Sequence, residues 1–130
     1  MEEDSISLTQ AEWSVMECLW EEGPLTGREV TQRMGKRCGW SRSTTLTLLG
    51  RLEAKGALES VPAEKGPKVF APRLKREDAA LGETESFLNR VYQGSLSLMV
   101  SAMTQKQALS REELDQLYEL LKGLEEERHD

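Results

Sequence analysis

The first half of the chain carries closely spaced helix-start and helix-stop signals, which restrict the fold more than any other feature. Residues 9–12 and 26–29 both have the spacing of a capping box, in which a threonine hydroxyl and a glutamate carboxylate satisfy each other's backbone amides. A third helix is predicted over about 41–55, with Ser41 or Ser43 as its cap. Short helices joined by tight, glycine-containing turns are typical of a helix-turn-helix unit.

The segment after the third helix has the pattern of a β-hairpin. Residues 57–61 alternate loosely, a Lys-Gly-Pro turn follows at 65–67, and residues 68–71 have the composition of a second strand. A hairpin directly after the third helix is a wing, predicted over about 57–72. The sequence therefore predicts a mainly α fold with a small β-hairpin wing, organised as a winged helix-turn-helix DNA-binding domain over residues 1–75.

The remaining residues, 76–130, are predicted to form a helical dimerisation domain. Apolar residues recur at helical spacing over 77–92, a short apolar segment spans 96–103, and a third capping box at 110–113 opens a final helix. Helices with such wide apolar stripes cannot form a core alone in about 50 residues, so a second copy of the chain is the expected partner. The candidate dimerisation residues are Phe87, Leu88, Val91, Leu114, Leu117, Leu121 and Leu124.

Charge is distributed unevenly along the chain. The net charge is −6, yet residues 28–76 hold twelve Lys/Arg against four Asp/Glu, a balance of +8. The flanking blocks, residues 1–27 and 77–130, each carry −7. A field of one sign confined to one segment allows an acidic protein to bind a polyanion, and a solvated charged face is the plainer interpretation. The basic block makes the helix-turn-helix segment the candidate nucleic-acid-binding region.

The third helix has two contrasting faces. The face expected to meet the core carries Thr45, Leu48, Leu49 and Leu52. The opposite face carries small and hydroxylated residues bordered by arginines, which let a helix approach phosphates and base edges. An ordinary surface helix normally carries several Glu and Lys there instead. Together with the wing, the candidate DNA-binding residues are Arg42, Ser43, Thr44, Thr47, Arg51, Lys65 and Lys68.

Further motifs are spread over nearly the whole chain. They are Leu8-Thr-Gln-Ala-Glu-Trp-Ser-Val-Met16 with Leu19-Trp20, Trp40-Ser41 with Thr44 and Thr47, Arg51-Leu52, Lys55-Gly-Ala-Leu58, Ser86-Phe-Leu-Asn-Arg90, Gly94-Ser-Leu96, Met99-Val100, and Leu109-Ser110 with Glu113-Leu114 and Leu117. With these motifs in register, the chain resembles the BlaI/MecI family of penicillinase and methicillin-resistance repressors, with its copper-responsive CopY branch. The resemblance implies a winged helix-turn-helix followed by a three-helix dimerisation region. It also implies a homodimeric transcriptional repressor that covers an inverted repeat of double-stranded DNA in a promoter.

The chain departs from the resistance repressors at two places. Those repressors are inactivated by a sensor protease that cuts an Asn-Phe bond, and the matching position here is Ala102-Met103. The absence of the asparagine argues against cleavage there, although Ala102 and Met103 stay the candidate cleavage position and a sensor protease a candidate partner. The third helix differs as well, with Arg42, Ser43 and Leu46 in place of other residue types. We therefore expect an operator of its own and an inducing signal that the sequence does not identify.

Several functional classes are disfavoured. The only histidine is His129, and no Ser/His/Asp, Cys/His or phosphate-cradling glycine pattern is present, so an enzyme is not expected. Cys18 and Cys38 cannot form a CopY-like metal site or a disulfide framework, so neither a metal nor another cofactor is expected. The chain lacks a transmembrane run and a secretory signal, which predicts a cytoplasmic protein without a membrane partner. A winged-helix protein-interaction adaptor without sequence-specific DNA binding stays open as the alternative.

Overall fold

The computed structural model describes residues 6–128, so His129 lies outside the described residues. The elements follow in the order α1 (Gln10–Glu22), β1 (Leu25–Thr26), α2 (Gly27–Cys38), α3 (Arg42–Lys55), β2 (Leu58–Val61), β3 (Val69–Pro72), α4 (Arg76–Tyr92), α5 (Leu96–Gln105) and α6 (Arg111–Arg128). They form two compact units, and the boundary in the sequence lies between Thr84 and Glu85. None of the helices in this part of the chain is long and apolar enough to cross a membrane.

The N-terminal helices begin and end at the predicted signals. Thr9 caps α1 and Thr26 caps α2, each through a complete capping box with the glutamate three residues later. Ser41, rather than Ser43, caps α3, because its hydroxyl accepts the backbone N–H of Thr44 at 3.2 Å. Gly56 ends that helix with φ 83°, a left-handed conformation that glycine adopts without strain.

The wing belongs to a three-stranded antiparallel sheet with the strand order β1-β3-β2. The hairpin strands pair from Leu58↔Pro72 to Val61↔Val69, as the sequence predicted for a wing. The additional strand, β1, lies between α1 and α2 and pairs Leu25 with Phe70. Strand β1 was not predicted from the sequence, because a strand of two residues is too short to show any periodicity. This pairing attaches the second strand of the wing to the start of α2.

The core of the N-terminal unit is built from α1, α2, α3 and the sheet. The largest of its fully buried apolar side chains are Val15, Met16, Cys18, Leu19, Val30, Met34, Leu49, Leu52 and Leu58. The predicted inner face of α3 is buried as expected, including Thr45. Ala79 of α4 is also buried in this core, and Trp20 donates a hydrogen bond of 2.9 Å from Nε1 to the Leu74 carbonyl oxygen. The N-terminal unit ends at Thr84, and the division into a DNA-binding domain over 1–75 and a dimerisation domain over 76–130 stays a prediction.

The C-terminal unit consists of the end of α4 together with α5 and α6. Ser110 and Glu113 form the predicted capping box at the start of α6, since each side chain accepts the other's backbone N–H at 3.1 Å. Neither α5 nor α6 contains a buried residue. Leu88 and Leu117 are half-buried, and the other candidate dimerisation residues are exposed: Phe87, Val91, Leu114, Leu121 and Leu124. The described chain thus leaves a broad apolar surface open on these helices.

Candidate nucleic-acid interface

The outer face of α3 presents the residues that the sequence selected for DNA contact. Burial of Thr45, Leu48, Leu49 and Leu52 against the core fixes the rotation of this helix. All five candidates on it are consequently exposed: Arg42, Ser43, Thr44, Thr47 and Arg51. Thr44 is partly engaged by the cap, since its hydroxyl oxygen accepts the Ser41 hydroxyl at 3.1 Å. The face can therefore donate from two arginines and bond or pack through the hydroxyl groups between them.

Gly50 lies on this exposed face without a structural need for glycine. Its φ is not in the left-handed region, and a methyl group built on it would meet nothing within 4 Å. A glycine inside a helix destabilises it by about 1 kcal/mol relative to alanine. Thr47 and Ala54 are exposed as well, and with Gly50 they form a stretch of helix surface from which only short side chains project. Short side chains allow the backbone of a helix to approach a ligand closely.

The wing places Lys65 and Lys68 on the surface. Both side chains are exposed, Lys65 in the turn and Lys68 just before β3. The Lys68 ammonium group lies 5.3 Å from the centroid of the Phe70 ring, within the range of a cation–π interaction. Phe70 is itself anchored in the sheet and is 8% exposed. The ring of Phe70 consequently positions Lys68, whereas Lys65 lies in the turn.

An open cleft of about 720 Å³ joins α2, α3 and the wing. Arg42 and Lys68 line it, so the structure brings together two candidates that are distant in sequence. Arg28, in the first turn of α2, lines the same cleft and was not selected from the sequence. The available signal was its position two residues after the Thr26 cap, inside the basic block. Arg28 and Arg42 both lie in the first turn of a helix, and helix N-termini with cationic side chains are suited to phosphate groups.

Two basic residues next to the wing are engaged elsewhere. Lys55 donates to the carboxylate of Glu12, and Arg76 pairs with Glu17. The hydrogen bond from Arg76 holds the pKa of Glu17 below its ordinary value. In contrast, within residues 6–128 the following cations have no ion-pair partner: Arg28, Arg42, Arg51, Lys65 and Lys68. These five residues lie on α2, α3 and the wing, whereas Arg33 and Arg37, farther along α2, pair with Glu22.

The metal-ligating and thiol side chains within residues 6–128 contrast with the cationic surface. No group of three or more His, Cys, Asp or Glu side chains there is arranged to hold a metal ion. Cys18 is buried in the core, and burial raises the pKa of its thiol. Cys38 is an exposed free thiol at the end of α2. The chemically distinctive surface of the N-terminal unit is the one that carries the exposed cations of α2, α3 and the wing.

Comparisons with known proteins agree with this geometry. The model of the penicillinase repressor family matches residues 8–123. A penicillinase repressor of Bacillus licheniformis is 35% identical over 114 residues, which cover 88% of each chain. The solution structure of the DNA-binding domain of the repressor BlaI is similar at 32% identity and a TM-score of 0.51, covering 56% of this chain and 88% of that one.

The Bacillus licheniformis BlaI monomer in complex with the blaP half-operator is also similar, at 30% identity and a TM-score of 0.51, with coverage of 55% of this chain and 87% of that one. Both structural matches cover about the length of the winged helix-turn-helix. The family model and the relative from Bacillus licheniformis extend the similarity into the C-terminal helices. On this evidence, the chain belongs to the penicillinase repressor family.

Proposed function

We propose that the chain is a transcriptional repressor that binds an operator in double-stranded DNA as a homodimer. The observation that carries the proposal is the outer face of α3, where unpaired arginines border small and hydroxylated residues beside an unpaired basic wing. Such a face fits a helix that lies in the major groove, while the wing follows the adjoining backbone. The half-operator complex of BlaI supports this use of the same fold.

The contacts divide into two kinds by their chemistry. Arg51 and Lys68 are assigned to phosphates, because both are exposed cations that border the small residues of the surface. Arg42 is suited to a phosphate or to the paired acceptors of a guanine. Ser43 and Thr47 occupy the centre of the helix face, where short side chains reach base edges. Lys65, in the wing turn, adds a further phosphate contact.

The C-terminal unit and the form of an operator both support the proposal of a homodimer. Within residues 85–128, none of the apolar side chains of α5 and α6 is buried. A second copy that pairs with these helices would remove them from water. One subunit of the relative BlaI binds a half-operator, so two subunits related by a two-fold axis match two half-sites.

We propose that the inducing signal acts on the C-terminal unit. Loss of pairing there would separate the two DNA-binding units without altering α3. Ala102 and Met103, the candidate cleavage position, lie inside α5, with Ala102 half-buried and Met103 40% exposed. A protease that cuts this bond would first have to unwind the helix. A sensor protease that acts elsewhere in the unit stays compatible with the proposal.

We propose no catalytic activity, since the family is one of repressors. A repressor acts where its operator is, so we propose a cytoplasmic location. The discriminating experiment is selection of fragments of host genomic DNA at low and at high salt. Enrichment of an inverted repeat, with half-sites about 10–10.5 base pairs apart or a multiple of that, supports the proposal. Absence of any enriched sequence would favour the protein-interaction adaptor.

A further inference from the structure

Leu46 is the large apolar side chain beside the small and hydroxylated residues of the outer face of α3. In the described part of the N-terminal unit, the exposed large apolar residues are Leu46, Val61 and Leu81. Leu46 is 38% exposed and is the one that lies on the proposed recognition helix. Single exposed leucines are common on protein surfaces, so exposure alone assigns no role. The surroundings of this leucine are what set it apart.

Leu46 lies in the cleft between α2, α3 and the wing. A methyl group built on Gly27 would be in ordinary contact with it, 3.7 Å from Cδ2 of Leu46, and also 3.5 Å from Cε2 of Phe70. The same cleft is lined by Arg28, Arg42 and Lys68, which have no ion-pair partner within residues 6–128. The site is therefore an apolar spot ringed by unpaired cations. Its occupant should carry negative charges around an exposed apolar group.

The major groove of DNA offers that combination at a thymine. Phosphates flank the groove, and the C5-methyl of thymine is the apolar group on its floor. Arg42 lies one helical turn before Leu46, so the two side chains are neighbours on one face of the helix. We propose that Leu46 packs against the C5-methyl group of a thymine in each operator half-site and thereby helps to determine sequence specificity. This inference rests on the proposed DNA-binding function.

The plainer role for Leu46 is packing against Phe70 and Gly27 at the edge of the cleft. That role predicts an effect of substitution on stability and none on the choice of base. The thymine contact predicts the opposite pattern, because the loss appears only when the methyl group is present in the DNA. Substituting the DNA rather than the protein separates the two roles.

The test uses the full chain and the operator recovered by genomic selection. Each thymine is replaced in turn by deoxyuridine, in both half-sites together, which removes only the C5-methyl group. One buried methyl group is worth about fourfold in affinity, so a symmetric pair of losses should weaken binding about 15-fold at one thymine position. Leu46→Ala should bind the thymine and uracil duplexes equally at that position. Leu46→Met, which keeps an apolar side chain, should retain a preference for thymine.

Leu81→Ala is the matched control, since Leu81 is an exposed leucine of α4 outside the cleft. It should keep the full sensitivity to uracil. Retention of the same penalty in Leu46→Ala, or no penalty at any thymine in the unmodified chain, would overturn the role of Leu46 while leaving operator binding intact. If no duplex were bound better than a shuffled one, the proposed function itself would fail, and this inference with it.

Discussion

Lys55 and Glu12 form an ion pair that ties the last turn of α3 to the first turn of α1. The Lys55 ammonium group donates to Oε1 of Glu12 and, at 2.8 Å, to the carbonyl oxygen of Ser7. Glu12 is 1% exposed and also accepts the backbone N–H of Thr9 at 2.9 Å. A residue that the sequence marked as half of a capping box therefore also holds the end of the proposed recognition helix.

This pair makes stability depend on pH. Burial by itself would raise the pKa of the Glu12 carboxyl, but hydrogen bonds from Lys55 and from Thr9 outweigh burial and hold the pKa below its ordinary value of 4.5. A carboxyl whose pKa is lowered by folding stabilises the native state above its unfolded pKa, and that contribution disappears as pH falls through the folded pKa. We expect the free energy of unfolding to fall as pH drops below about 4.5, and less steeply in Glu12→Gln.

Urea unfolding over a series of pH values measures this effect. Glu59→Gln is the control, because Glu59 is an exposed carboxylate of β2 with no ion-pair partner in the described chain. Its pH dependence should match that of the unmodified protein. Equal slopes for Glu12→Gln and the unmodified protein in the acid range would show that this pair does not couple folding to pH.

Thr45 carries a buried hydroxyl group without a hydrogen-bond partner in the described structure. Thr45 is 0% exposed and lies on the inner face of α3. Valine has nearly the same shape and removes the unpaired group, so Thr45→Val should raise the free energy of unfolding by about 1 kcal/mol. Urea titration measures this change in the free energy of unfolding, and thermal unfolding provides a second measurement.

Thr31→Val is the contrasting variant, because the Thr31 hydroxyl donates to the Gly27 carbonyl oxygen at 2.8 Å. Loss of that hydrogen bond should lower the free energy of unfolding by about 0.5–1.5 kcal/mol. A comparable loss in Thr45→Val would mean that its hydroxyl has a partner in solution.

Local signals in the sequence were sufficient for most of the fold. The capping boxes and the terminal glycines act within a few residues, so Thr9, Thr26 and Gly56 could be assigned before any tertiary contact was known. Ser41 and Ser43 could not be separated, since both have the right side chain and only the helix start decides between them. Strand β1 could not be predicted, because its pairing with β3 joins residues that are far apart in sequence.

The site was less predictable, because charge in the sequence does not reveal which cations are already paired. Lys55 and Arg76 count toward the basic block, yet each is bound to a glutamate of α1. Arg28 and Leu46 meet only through the cleft that the sheet and two helix starts create. A helical wheel placed Thr47 on the outer face correctly, but it gives no information about neighbours on another helix.

Lys68 should act on the phosphate backbone without regard to sequence. Removing one phosphate contact lowers the slope of log affinity against log salt by about one unit. Lys68→Ala should therefore bind operator and shuffled DNA more weakly by a similar factor, with that smaller slope on both. Lys106→Ala removes an equal charge at an exposed position of the C-terminal unit and should leave the slope unchanged. An unchanged slope in Lys68→Ala would remove the wing from the interface.

Leu117 should hold the dimer together. It is half-buried on the apolar stripe of α6, and truncating a packed leucine costs about 2–5 kcal/mol, a loss that a symmetric dimer suffers twice. Leu117→Asp should sediment as a monomer at micromolar concentration and bind a full inverted repeat little better than one half-site. Gln116→Asp, at an exposed position on another side of α6, should remain dimeric. A dimeric Leu117→Asp with unchanged operator affinity would exclude this pairing.

The central claim is that the outer face of α3 recognises a specific operator, and Thr47→Glu tests it most directly. Fluorescence anisotropy would compare the selected operator with a shuffled duplex of equal length at one salt concentration. We expect the unmodified chain to prefer the operator by about 10³-fold or more, and Thr47→Glu to lose that preference without a lower melting temperature. Thr84→Glu, the same change at an exposed position of α4, should keep the preference. Equal binding of both duplexes by the unmodified chain, or full preference in Thr47→Glu, would contradict the account.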